Sequence, residues 1–180
     1  MKFDENNLAD SLKEDKEYAF KQLVILYQKR LYYHIRKIVI SHDDADDVLQ
    51  NTFLKVWNNI DNFRQESSLY TWLYRIATNE AITFLNSKRK KSYIPLQDAA
   101  DSLMSNLKTD PYFDGDEIQM KLQQAILMLP DKQRIVFNMK YFDEIKYEDM
   151  AKILNTSVGA LKASFHHAVK KIENYLLNTD

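Results

Sequence analysis

Two glycines and three prolines in 180 residues constrain this chain more than any other feature. Hairpin turns, barrel corners and phosphate-cradling loops rely on glycine at positive φ, and proline punctuates the loops between strands. With so few of either, the chain is expected to be nearly all helix. The apolar fraction of 45% is enough for packed cores, and 28% charged residues keep the surface polar. This length makes one medium domain or two small ones. Cysteine is absent, which excludes disulfides, thiolate metal sites and a Cys nucleophile. No apolar run approaches the roughly 20 residues of a membrane span, and the start M-K-F-D-E-N-N does not read as a secretory signal. A cytoplasmic protein is the expectation.

The formal net charge of −1 conceals an uneven distribution. Residues 1–91 carry 15 Lys/Arg against 13 Asp/Glu, residues 92–117 carry 1 against 6, and residues 118–180 carry 9 against 7. Two slightly basic ends flank an acidic middle. Residues 92–116, with Pro95, Pro111, Gly115 and scattered Asp and Ser but no sustained apolar period, read as a linker with at most a short helix at Leu103–Leu107. That divides the chain into units at 1–91 and 117–180.

In the first unit, a short helix is expected from Asn7 to Glu14 and a longer one from Lys16 to Ile38. In the longer helix Ala19, Phe20, Leu23, Tyr27, Leu31, Ile35 and Ile38 recur at helical spacing. Ser41-His42-Asp43 breaks the pattern, and acidic residues then suit the positive end of the next helix. At about 100° per residue, Ala45, Val48, Leu49, Thr52, Phe53, Val56 and Ile60 gather on one side of that helix. Asp43, Asp47, Gln50, Asn51, Leu54 and Asn58 share the other. Leu54 is an apolar side chain in the middle of a polar, acidic face. A lone exposed leucine is common and needs no function; the other reading is an apolar anchor within a ring of acceptors on a partner surface.

A polar turn with Phe63 and Arg64 follows, and Ser67 or Ser68 is placed to cap a helix running to about Asn86. Leu69, Trp72, Leu73, Ile76, Ala77 and Phe84 form its inner stripe. Glu80 falls in that stripe too, which implies partial burial against a cation. Thr71, Arg75, Thr78, Asn79 and Ile82 share another side. Lys88-Arg89-Lys90-Lys91 suits either the negative end of the helix or a phosphate backbone.

The second unit reads as four helices between Glu117 and Leu177. Ile118, Leu122, Ala125, Ile126 and Leu129 give the first, stopped by Pro130; Asp131 is placed to cap the second, with Ile135, Val136 and Met139 inward. The last two form a helix-turn-helix: K-Y-E-D-M-A-K-I-L, the turn N-T-S, then V-G-A-L-K-A-S-F-H-H-A-V-K-K-I. Ala151 is small where the helices cross, Asn155 tolerates a left-handed turn, and Ser157 caps the last helix. Leu161, Phe165, Ala168 and Ile172 face inward. Gly159, Lys162, Ala163, His166, His167 and Lys170 face out, without an Asp or Glu among them. Small residues permit approach to a DNA groove, lysines meet phosphates and histidines can donate to base acceptors.

These stretches together resemble a family. D-D-A-D-D-V-L-Q-N-T-F-L-K-V-W, then F-R and T-W-L-Y-R-I-A-T-N-E-A-I, then L-P-D-K-Q-R-I-V-F and the helix-turn-helix resemble the sigma-70 factors of bacterial RNA polymerase, in the size and arrangement of the extracytoplasmic-function (ECF) group. The resemblance spans about residues 7–176. It implies an all-α fold of two small helical domains: region 2 at 1–91, an acidic linker at 92–116 near the polymerase active site and RNA exit, and region 4 at 117–180. It assigns Asp47, Gln50, Asn51 and Leu54 to core polymerase. It assigns Phe63, Arg64, Thr71, Trp72, Arg75, Thr78 and Asn79 to recognition and melting of the minus-ten element of promoter DNA. Ser157, Gly159, Lys162, Ala163, His166, His167 and Lys170 would read the minus-thirty-five element. An anti-sigma factor covering Asp47 or the helix-turn-helix is a further implied partner.

The resemblance has two departures. Family recognition helices often read T-V-K-S-R-x-x-R-A-R, whereas here Ala160, Leu161, Lys162, Ala163, Ser164, His167 and Val169 replace most of that pattern. Thr83 and Asn86 stand where Asp and Arg are common. The rival reading is a helix-turn-helix regulator acting without stable polymerase binding, which leaves the Asp47/Leu54 face and the Phe63–Trp72 turn unexplained. An adaptor that binds protein alone is another. Catalysis is disfavoured: the only histidines are His34, His42, His166 and His167, and the adjacent pair points about 100° apart on a helix, unsuited to one metal. No cofactor, metal or catalytic residue is expected.

Overall fold

The computed structural model describes residues 10–12, 14–63, 67–92 and 117–178. Within them every regular element is helical. The long helices are α1 (Lys16–Val39), α2 (His42–Asn59) and α3 (Leu69–Ser92) in the first unit, with a 3-10 turn at Ile60–Asn62. In the second unit they are α4 (Glu117–Leu127), α5 (Asp131–Tyr141), α6 (Tyr147–Leu154) and α7 (Val158–Asn178). Residues 10–12 and 14 are also helical, and Leu12 packs against the core, which covers the described part of the first expected helix. Leu103–Leu107 lies outside the described residues.

Most of the apolar periods become the core; Ile118, expected in the first inward stripe of the second unit, is instead 76% exposed at the start of its helix. Ala19, Leu23, Tyr27, Leu31, Ile35 and Ile38 are buried along α1, and Ala45, Val48 and Val56 answer from α2. Asp15 caps α1 by accepting from Tyr18 N at 3.0 Å, and Ser41 caps α2 by accepting from Asp44 N at 3.4 Å. Between the two helices the chain reverses in a single residue. Ile40 sits at φ 71°, ψ −45°, and Ser41 N donates to Val39 O at 2.9 Å across it. This γ-turn is strained for a β-branched residue, and the burial of Ile40 holds it.

Helix α3 packs in the groove between α1 and α2. Ser68 is its cap, accepting from Thr71 N at 3.1 Å. Glu80 is partly buried and pairs with Lys55, the cation its position called for. The helix runs to Ser92, six residues past the expected end at Asn86. Lysine and arginine are good helix formers, so K-R-K-K continues the helix where Asn86-Ser87 fails to stop it. Lys88 is tied down by Asp44 at 2.5 Å and does not wait free for a phosphate.

In the second unit Pro130 occupies the cap position of α5, and Asp131 is the first helical residue, bonding Arg134 Nη2 at 3.1 Å instead of capping. Proline has no N–H to orphan and its fixed φ suits the entry to a helix. Asn155 ends α6 at φ 48°, ψ 50°, the left-handed conformation, and Thr156 N returns to Ala151 O at 3.1 Å. Ser157 Oγ accepts from Ala160 N at 3.3 Å to start α7. Asn155→Val should therefore lower thermal stability by about 1–2 kcal/mol, since a β-branched side chain meets the following carbonyl there. Asn155→Gly should unfold at nearly the wild-type temperature. Calorimetry on the two variants checks this.

The two units pack against each other. α6 lies across α3 and α5 touches α1, so one apolar cluster runs from Leu73, Tyr74 and Ala77 through Val136, Met139, Ile145, Met150 and Ile153. A second, smaller cluster of Ala125, Ile126, Leu129, Phe137, Ala168 and Ile172 holds α4 and α5 to α7.

Candidate functional site

Asp47, Gln50, Asn51 and Leu54 are all exposed on α2, and Leu54 is 61% accessible. They share a face because the buried residues Ala45, Val48, Thr52 and Val56 fix the rotation of the helix. Leu54 is not isolated. Together with Phe20 and Val24 of α1 and Gln50, Phe53 and Trp57 of α2 it lines an apolar groove of about 300 Å³. Phe20 sets the groove floor, edge-on to Phe53 at 6.3 Å and to Trp57 at 5.0 Å. Lys16 sits 4.7 Å above the Trp57 ring and reaches Asp61 at 2.6 Å, framing one end with charge. The sequence placed Phe20 in the core stripe and missed its second role. The α1 half of the groove depends on how α1 and α2 cross, which periodicity on either helix leaves unspecified.

The second constellation begins at the turn before α3. Phe63 and Trp72 are partly buried with ring centroids 5.2 Å apart, so residue 63 is held against the second aromatic nine positions on. Arg64 lies outside the described residues. Arg75 and Asn79 are exposed, as expected. Thr71 and Thr78 are not: they are 2% and 0% accessible, and the mixed open surface expected on that side of α3 is corrected to Arg75 and Asn79. α6 reaches Thr71 at Asp149, whereas Thr78 faces His34 of α1 within the first unit. Thr71 Oγ1 donates to Asp149 Oδ1 at 3.5 Å. Thr78 Oγ1 donates to Tyr74 O at 2.7 Å and meets His34 Nε2 at 2.8 Å.

The loop between α5 and α6 supplies Asp143, which pairs with His34 Nδ1 at 2.8 Å and with Lys37. Burial pushes this carboxyl up, but the hydrogen bonds and charges of His34 and Lys37 more than offset it and hold it below the usual range. Its stabilising share is thus present above the ordinary carboxylate pKa and disappears only as pH falls through the depressed value. Nearby, burial and the neighbouring Tyr74 push the Tyr70 hydroxyl far up, so it stays protonated.

On α7, Ser157, Gly159, Lys162, Ala163, His166, His167 and Lys170 are all exposed or partly exposed, while Leu161, Ala168 and Ile172 are buried beneath them. A Cβ built on Gly159 would meet nothing within 4 Å, so no contact inside the protein requires a small residue there. Lys162 lies over the Tyr147 ring at 5.7 Å and Lys140 at 5.1 Å, which puts two cations around one aromatic where α6 meets α7. Lys140 and Tyr147 were missed; their positions follow from the turn and not from the α7 period. No group of three or more His, Asp or Glu suited to a metal occurs among the described residues.

A helix-turn-helix with a small-residue, lysine-bearing outer face and, on another domain, an acidic face beside an apolar groove define a DNA-binding protein that also docks on protein. Family models match in the same order: Sigma-70 region 2 over residues 23–91 and Sigma-70 region 4 over residues 119–172. The ECF RNA polymerase sigma factor SigW of Bacillus subtilis is 31% identical over 173 residues, 92% of each chain. The RNA polymerase sigma-H factor of Pseudomonas aeruginosa is 29% identical, covering 96% of this chain and 93% of its own. Among solved structures, the sigma factor RpoE in complex with the anti-sigma factor NepR from Bartonella quintana superposes with a TM-score of 0.70 at 25% identity, over 89% of this chain and 98% of that one. CnrH in complex with the cytosolic domain of CnrY gives 0.72 at 22% identity, over 98% and 99%.

The chain belongs to the sigma-70 family, in its ECF group. It is a transcription initiation factor that binds core RNA polymerase and directs promoter recognition and opening. The regulator acting without polymerase is not favoured.

Proposed function

We propose that the factor divides its work among three surfaces. Asp47, Gln50, Asn51 and Leu54, with the groove they border, dock on core polymerase. Phe63, Arg64, Trp72, Arg75 and Asn79 recognise and open the minus-ten element. Ser157, Gly159, Lys162, Ala163, His166, His167 and Lys170 read the minus-thirty-five element. The observation that carries this reading is the separation of the α2 face from the α7 face: each is open to solvent, and they differ in charge. Acidic acceptors around an apolar centre suit a protein partner; lysines without a carboxylate suit phosphates.

Unstacked bases need aromatic platforms, and Phe63 against Trp72 offers one in the family's melting segment. The factor acts by binding alone, with no catalytic step, and works in the cytoplasm. No helix among the described residues is long and apolar enough to cross a membrane. Residues 1–91 and 117–180 are the two working domains and 92–116 the tether. RpoE of Bartonella quintana is held by an anti-sigma factor, which supports an inhibitor polypeptide for this chain as well. Pull-down from the native cell that recovers no such protein would argue against it.

Lys162→Glu tests the allocation on α7. Replacing a phosphate-facing cation by an anion removes a charge-assisted hydrogen bond and adds a repulsion, which should cut promoter-specific transcription roughly tenfold while leaving core binding unchanged. Gel-filtration with core polymerase and run-off transcription read the two effects separately.

A further inference from the structure

Thr83 and Asn86 depart from the family pattern and belong to none of the three surfaces proposed for this factor. On α3 they continue a single edge. At about 100° per residue, Trp72, Arg75, Asn79, Thr83, Asn86 and Lys90 fall within an arc of roughly 80°. Trp72 is partly buried, and the other five are exposed. No hydrogen bond or ion pair among the described residues engages those five side chains. The edge therefore holds a cation at either end, two amides and a hydroxyl between them, and no carboxylate. Glu80, the only carboxylate in α3, lies about 100° away from Asn79 and is paired with Lys55. Asn86 has no local use. Asparagine in a helix interior costs stability relative to alanine and is at home where its side chain caps or bonds the backbone, yet here it does neither and the helix runs on to Ser92.

We propose that Thr83, Asn86 and Lys90 extend the promoter-reading edge of α3 onto the double helix upstream of the minus-ten element, where Asn86 reads an adenine and Lys90 holds a phosphate beside it. An exposed edge with cations and no carboxylate complements a polyanion, and it continues without a break from Arg75 and Asn79. The Asn86 amide can donate to N7 of adenine while its oxygen accepts from N6, a pair of bonds that sets adenine apart from the other bases in the major groove. Asn79 and Asn86 are separated by about 10.5 Å along the helix axis, or about three base pairs. The adenine is thereby placed about three base pairs from the step that meets Asn79, on the side away from Trp72, where the strands stay paired. Thr83 lies between them, and its hydroxyl serves donors and acceptors alike, so it adds contact with little base preference. The inference rests on the assignment of α3 to the minus-ten element.

Core polymerase with the full chain, transcribing a promoter library randomised in the duplex just upstream of the minus-ten element, reads the preference at each position. Adenine at one position should be favoured about tenfold over the other bases. Asn86→Ala should flatten that position and leave the minus-ten preference and core binding unchanged. Asn86→Arg should move the preference there from adenine to guanine, an exchange that a purely structural role cannot produce. Lys90→Ala should weaken all promoters alike and lower the salt dependence of complex formation by about one counterion. All of these side chains are exposed, so the substitutions leave the core intact. A wild-type factor indifferent to every position of that duplex, an Asn86→Ala variant with the wild-type preference, or an Asn86→Arg variant that still prefers adenine overturns the proposal. Failure of the underlying assignment looks different: Arg75→Ala and Asn79→Ala would then leave the minus-ten preference untouched, whereas a clear effect of those two with Asn86 silent removes only the upstream extension.

Discussion

Asp47→Arg with Leu54→Arg is expected to lower affinity for core polymerase by at least about 100-fold, the loss of roughly 3 kcal/mol associated with a central interface anchor. Both side chains are exposed in the free protein, so neither substitution disturbs a core contact and the melting temperature should stay within a few degrees of wild type. The effect has two parts. Arginine at 54 puts a charge at the edge of the groove formed with Phe20, Val24, Phe53 and Trp57, which must lose water when a partner docks. Arginine at 47 reverses the charge at the middle of an acidic face and converts attraction into repulsion. Competition against the wild-type factor for limiting core polymerase measures it. Equal competition by the double variant would remove α2 from the docking surface.

Trp72→Ala is expected to reduce promoter opening by about 10-fold to 100-fold, while duplex promoter binding by the complex with polymerase falls much less. A base that leaves its stack is held by an aromatic face at about 1–3 kcal/mol, and the Trp72 ring both offers such a face and holds Phe63 at 5.2 Å. Trp72 also packs against the core, so part of the effect comes through stability. Trp72→Phe separates the two: it keeps much of the packing and an aromatic face, and should recover most of the opening. Permanganate reactivity of unpaired thymines follows opening directly. Equal reactivity for Trp72→Ala and wild type would exclude the ring from melting.

Much of this was legible in the sequence because helices bury stripes. The spacing of Leu23, Tyr27, Leu31 and Ile35, or of Leu161, Ala168 and Ile172, fixes which way a helix faces and hence which residues remain outside. That is why the whole α2 face and the whole α7 face emerged as outward-facing sets. Caps were equally readable at Ser68, Asn155 and Ser157, where a short polar side chain or a left-handed backbone has one economical use. Periodicity gives no information about what a second, half-polar stripe meets. Thr71 and Thr78 looked like surface because hydroxyls are at home in water, yet each is paired, to Asp149 and to His34, by residues far away in the chain. The groove beside Leu54 was invisible for a related reason: Phe20 and Val24 belong to another helix, and only the crossing of α1 and α2 brings them there.

Run-off transcription by core polymerase on a library of promoters, with and without the chain, tests the central claim most directly. Transcripts from a defined promoter class that appear only when the chain is added, and vanish with Asp47→Arg/Leu54→Arg and with Lys162→Glu while core binding is lost only in the first, are the predicted result. A wild-type chain that neither binds core polymerase nor changes the set of transcripts would contradict it.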